Sequence, residues 1–266
     1  MFIEIAQSLA SVQHGVVARR QLLAAGFASR TIANQVSNRL LIPVFPAVYA
    51  VGRAGLHRQG LWMAGVLAAG EGAVLAFRSA AAAWGVMNFR PSVEVLRHRH
   101  RAGLRSHVDI EGVRRSVVLE VRRTRTLPEV DTTEIAGVPV TSMARTLFDL
   151  SPGLGWGSLN RLFLEADRLG LIDEEDIAYQ LLRSRGRAGA RKFRRLVGGR
   201  FDEVTLTRSL LEALFLQLCR EQSIPAPEVN VIEEGYVPDC LWRRQKLIVE
   251  LDGASYHRGA ERDERD

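Results

Sequence analysis

The chain has 266 residues, with 36 Lys or Arg against 30 Asp or Glu and a net charge of +6. That length suits one large domain or two to three small ones, and 47% hydrophobic with 25% charged residues excludes a disordered chain. Only two cysteines, Cys219 and Cys240, rule out a disulfide framework and fit a reducing compartment. The longest apolar stretch, Leu61 to Leu75, is interrupted by Glu71 and by glycines and is too short to cross a bilayer. Glu4 stands where a signal peptide needs a basic residue. The expectation is a soluble, cytoplasmic protein with no membrane partner.

Charge is unevenly spread. Residues 1–202 carry 28 basic against 17 acidic side chains, and residues 203–266 carry 8 against 13. A basic body suits contact with phosphate, whereas the acidic tail suits another task. Of the 36 basic residues only Lys192 and Lys246 are lysine, a ratio that a GC-rich genome would also produce.

In chain order, Ile5 to Val12 has helical apolar spacing, and Ala18 to Ala25 predicts a second helix closed by Gly26. Ser29 is the expected N-cap of a third helix, Arg30 to Asn38, with Ile32 and Val36 facing inward. Its outer face then holds Arg30, Thr31, Asn34, Gln35, Asn38 and Arg39. Asn and Gln can bond adenine edges and Arg can bond guanine or phosphate. A hairpin follows, Leu40 to Val44 and Val48 to Val51, with Arg53 just beyond. This order is that of a winged helix-turn-helix, with double-stranded DNA as partner. A small helical cap with a hydrated polar face remains the alternative.

His14-Gly15-Val16-Val17, Gln21 to Gly26 and Pro43 to Gly52 resemble the N-terminal domain of type IV (abortive-infection) antitoxins. The resemblance implies a winged helix that binds promoter DNA and represses its own operon.

Two helices are expected between Leu56 and Trp84, then strands at Ser92 to Leu96, Ser116 to Val121 and Ile135 to Pro139. Ser142 should cap a helix containing Arg145 to Leu150. Further helices are expected near Gly157 to Leu169, Asp173 to Leu182 and Ala188 to Val197. Val138 to Ser142 with the Arg145-Thr146-Leu147-Phe148-Asp149-Leu150 run resembles the second domain of the same antitoxins. That likeness implies a homodimer and a cognate toxin as partner. Arg97-His98-Arg99-His100-Arg101, with His107, offers two histidines spaced by one but no third metal ligand, so a solvated basic loop is the default. The arginines from Arg183 to Arg195 are a phosphate surface or a solvated face.

Arg208 to Gln222 reads as an amphipathic helix burying Leu210, Leu211, Leu214, Phe215 and Leu218. Strands are expected at Glu228 to Ile232, Tyr236 to Trp242 and Leu247 to Leu251, the last two joined by the loop Arg243 to Lys246. If Trp242 pairs Leu247, Asp239 falls opposite Glu250, with Asp252 on the same face. Opposed like charges cost a sheet about 0.2–1 kcal/mol. A divalent cation would remove the conflict, as would hydration or pairing with Arg243 and Arg244. Leu247, Ile248, Val249 and Leu251 look core-like, and Glu212 could join the acids from the helix.

Pro238-Asp239, Glu250-Leu251-Asp252-Gly253 and His257, preceded by Glu212, resemble PD-(D/E)-x-K nucleases, nearest the very-short-patch-repair endonuclease-like group. The resemblance implies that Asp239 and Glu250 hold Mg²⁺, that His257 handles a proton and that Glu212 is a supporting acid. Asp252 stands where the family places lysine. The chain ends at Asp266, before the helix and strand that complete the family core, so a truncated domain is expected.

The expected fold class is α+β and multidomain. It comprises a winged helix-turn-helix over 1–53, an antitoxin-like mixed α/β scaffold over 54–202 and a partial restriction-endonuclease-like α-β-β-β core over 203–266. Three readings remain: a Mg²⁺-dependent DNA endonuclease, a non-catalytic repressor or antitoxin with a remnant tail, and an interaction module for a toxin.

Overall fold

The computed structural model describes residues 1–52, 55–98, 102–110, 113–201, 211–212, 214–216, 218–229, 231–233 and 235–251. The fold is mixed α+β. The chain divides into two compact units, Met1–Leu150 with Leu164–Ala166, and Ser151–Phe163 with Asp167–Asp266.

The first unit opens with α1 (Phe2–Ser11), β1 (Val16–Ala18), α2 (Arg19–Ala24), α3 (Ser29–Ser37), β2 (Leu41–Phe45) and β3 (Val48–Val51). Gly26 ends α2 in the left-handed region at φ 90°, as its position after the helix predicts. Ser29 is not the N-cap of α3. Ala28 takes that place and no side chain caps it, so the helix begins one residue earlier than expected. Strand β1 was not legible, because three residues are too few to show alternation. It pairs with β3, giving an antiparallel sheet of order β1-β3-β2. Ala6, Val17, Leu22, Ile32 and Leu41 form a small core between these helices and the sheet.

Next come α4 (Arg58–Ala69), β4 (Val74–Leu75), α5 (Phe77–Ala83), β5 (Ser92–His98), β6 (Ala102–Ile110), β7 (Val113–Thr124), β8 (Thr132–Ile135), β9 (Val138–Thr141) and α6 (Met143–Leu150). The strands make one six-stranded sheet of order β6-β7-β5-β4-β9-β8. Pairing is mixed: β5 runs parallel to β7 and β4 parallel to β9, and the other neighbours are antiparallel. Of the run Arg97 to Arg101, Arg97 and His98 end β5, and residues 99–101 lie outside the described residues. His107 sits within β6 opposite Ser116.

Helix α4 is apolar on every side, and Gly60 to Leu67 are all buried. Such a helix must be covered all round. It packs against β1, β2 and β3 and against β4, β5 and β9. Two glycines permit this closeness. A Cβ on Gly60 would meet the His14 carbonyl oxygen at 2.6 Å, and one on Gly65 would meet Val93 Cγ1 at 2.4 Å. His14 also bonds the Ala136 carbonyl through Nε2, at 2.6 Å.

The predicted cap of α6 holds: Ser142 Oγ accepts the Arg145 N–H at 3.3 Å. Arg145 itself is 1% exposed. Its guanidinium pairs with Asp131, with Asp149 at 2.9 Å one helical turn on, and with Thr124 Oγ1 at 3.4 Å. Removing one partner of a buried pair leaves an uncompensated charge, which costs about 3–5 kcal/mol.

The second unit contains α7 (Trp156–Arg168, part of which belongs to the first), α8 (Glu174–Arg183) and α9 (Ala190–Val197). Asp173 caps α8, its carboxylate accepting the Asp176 N–H at 2.8 Å. The described residues between 211 and 221 are helical. The hairpin β10 (Cys240–Trp242) and β11 (Leu247–Val249) closes the described chain. No helix among the described residues is long and apolar enough to cross a membrane.

Two outcomes are expected in urea denaturation. Arg145→Ala should lower the unfolding free energy by about 3–5 kcal/mol. Gly65→Ala, which forces a methyl into Val93, should lower it by about 1–3 kcal/mol.

Candidate nucleic-acid interface and acidic hairpin

Helix α3 is anchored by Ile32, 1% exposed, and by Val36, packed against the same small core. Anchoring that face turns the other outward. Arg30, Asn34, Asn38 and Arg39 are exposed, and Thr31 and Gln35 are half-buried. Among the described residues, none of these six side chains has a hydrogen bond or ion pair within the protein. Arg39 follows the helix in the left-handed region, at φ 56°. Arg53 lies outside the described residues. The polar face is therefore assembled on one rigid element with its donors and acceptors uncommitted.

The hairpin of the second unit has the predicted register, Trp242 opposite Leu247 and Cys240 opposite Val249. The pairing ends there, and Asp239 and Glu250 are the next residues out, just past the two strands. The conflict between them is met by donors of the chain itself. Asp239 Oδ2 accepts the Leu251 N–H at 2.8 Å, and Glu250 Oε1 accepts the Tyr236 hydroxyl at 2.6 Å. Arg243 does not serve these acids, because it pairs with Glu228 and Glu233.

The strands are shorter than expected. Glu228 makes an isolated bridge to Leu241 and Glu233 one to Tyr236, where longer strands were predicted. Burial is also redistributed. Cys240, Leu241 and Trp242 are buried, while Leu247 and Ile248 are 48% and 47% exposed. On the preceding helix Leu214 and Leu218 are exposed as well. Of the expected stripe Phe215 does pack inward, edge-on to Trp242 at 6.2 Å, and Cys219, four residues on, takes the inner face in place of Leu218.

Both cysteines are buried and free. Burial pushes the Cys240 thiol up to about 11, helped by the charges of Cys219, Asp239, Glu212 and Glu175. The Glu175 carboxylate that acts on this thiol comes from α8. Glu175 is itself raised, by burial first and then by Asp173 and Glu212.

Mg²⁺ takes one or two protein carboxylates, with phosphate oxygens and water completing its shell. Asp239 and Glu250 are carboxylates of that kind, placed just past the paired strands, and each accepts one hydrogen bond named above. Among the described residues no three His, Cys, Asp or Glu converge as a metal-holding group, and Asp252 and His257 lie outside those residues. No family model matches the chain, and no curated protein matches it.

Thiol titration checks the burial of this cluster. At pH 8 native Cys240 should react with a disulfide reagent roughly a hundred-fold slower than a free thiol of pKa about 8.5. Reaction should become fast once urea unfolds the hairpin.

Proposed function

We propose that this protein binds double-stranded DNA through the outer face of α3, with α2, α3 and the β2–β3 hairpin acting as a winged helix-turn-helix. The observation that carries this is the set of six uncommitted polar side chains, Arg30, Thr31, Asn34 and Gln35 on a helix locked by Ile32 and Val36, with Asn38 and Arg39 just after it. Asn34 and Gln35 can read adenine edges, while Arg30 and Arg39 meet phosphate or guanine. The protein is on this reading a DNA-binding regulator like the type IV antitoxins it resembles. A homodimer, repression of its own operon and a cognate toxin partner follow from that likeness.

A second reading is favoured by Asp239 and Glu250, the two carboxylates just past the paired strands of the hairpin. In it the hairpin belongs to a PD-(D/E)-x-K nuclease core, and Asp239 and Glu250 would hold Mg²⁺. When bound, the ion would supply charge stabilisation to the scissile phosphate. Glu212, Asp252 and His257 are the supporting residues that the likeness assigns.

The test of DNA binding uses a duplex selected from a random-sequence pool. Asn34→Ala and Gln35→Ala should each cost about 1–3 kcal/mol on the preferred sequence. Arg30→Ala and Arg39→Ala should weaken binding to all sequences and lower the salt slope by about 1 each. Unchanged affinity in all four would sink the reading. For the second reading, supercoiled plasmid incubated with Mg²⁺ should be nicked by the protein but not by Asp239→Ala or Glu250→Ala. No nicking by the parent chain leaves the non-catalytic regulator.

A further inference from the structure

Between Asp176 and Asp202 the chain carries eight basic residues and no acid. Helix α9 organises this run. Phe193, Leu196 and Val197 are buried, and Lys192 turns inward to bond the Leu154 carbonyl at 2.9 Å. What remains outside is arginine. Arg191, Arg194 and Arg195 are exposed at i, i+3 and i+4, a spacing that puts their Cβ atoms about 5–6 Å apart. Among the described residues Arg191, Arg194 and Arg195 form no ion pair. Arg195 instead lies over the ring of Trp156, 4.5 Å from its centroid, which restrains its guanidinium plane.

We propose that the exposed arginine face of α9 is a second nucleic-acid surface, contacting the phosphates of duplex DNA without reading sequence. A row of planar cations that form no ion pair among the described residues is complementary to a polyanion, and arginine is suited to phosphate by its fixed fork of donors. A lipid surface fits less well. An interfacial helix presents an apolar face to the membrane, and the large apolar residues of α9, Phe193, Leu196 and Val197, are at most 3% exposed. The surface lies on a different element from α3 and does not depend on α3 binding DNA.

The test measures the affinity of the full chain for a duplex of arbitrary sequence across a range of salt. Arg191→Gln with Arg194→Gln should lower the slope of log affinity against log salt by about 2, at ~0.9 per phosphate contact. Arg191→Lys with Arg194→Lys should keep the slope. Arg191 and Arg194 are both exposed, so thermal melting of either variant should match the parent chain. An unchanged slope in the Gln variant overturns the proposal, as does an equal loss in the Lys variant or no salt-sensitive binding by the parent. Loss of binding to anionic vesicles with DNA binding intact also overturns it, in favour of a membrane. A slope lowered by the α9 Gln variant but not by Arg30→Ala and Arg39→Ala upholds the α9 surface while the α3 reading fails.

Discussion

The first unit depends on the burial of α4. A helix apolar on all sides has no solvent face to give away, so elements must be found to cover it completely. The β1-β3-β2 sheet supplies one wall and the six-stranded sheet another, both within one continuous core that runs from Val16 to Val140. Gly60 and Gly65 set how near those walls come, since each would place a Cβ inside a neighbour. The orientation of the N-terminal helices, and with it the direction in which α3 faces, is held by this contact and by the bond from His14 to Ala136.

A buried charge network finishes the same unit. Arg145 and Asp149 belong to the run that resembles the antitoxin second domain, which invites a functional reading of the motif. Their geometry is structural. The guanidinium is enclosed by Asp131 and Asp149 and touched by Thr124, which ties α6 to the ends of β7 and the segment before β8. A buried arginine tolerates neither loss of its acids nor a shift of the helix carrying it, because its charge would then stand unpaired in low dielectric. The network therefore specifies one arrangement of α6 on the sheet.

The acidic hairpin shows how a local conflict can have more than one physical solution. Asp239 and Glu250 put like charges just past the paired strands, and a cation is one remedy. Backbone and tyrosine donors are another, and the chain uses both kinds, Leu251 N–H for Asp239 and Tyr236 O–H for Glu250.

Local signals settled much of this protein. The outer-face residues of α3 followed from helical periodicity around Ile32 and Val36, and the hairpin register followed from loop length, because strand pairing is rigid once one pair is fixed. The Ser142 cap and the Gly26 stop are likewise local hydrogen-bond and φ requirements. Tertiary structure decided what distant segments do to one another. It chose Ala28 over Ser29 as the N-cap of α3, added β1 by pairing it with β3, and exposed Leu247 and Ile248 while burying Cys219. It also enclosed Arg145 with an acid fourteen residues away and brought Glu175 near Glu212. Burial and long-range charge depend on which surfaces meet, and that is a property of the packed chain, whereas periodicity and turn length are properties of the segment alone.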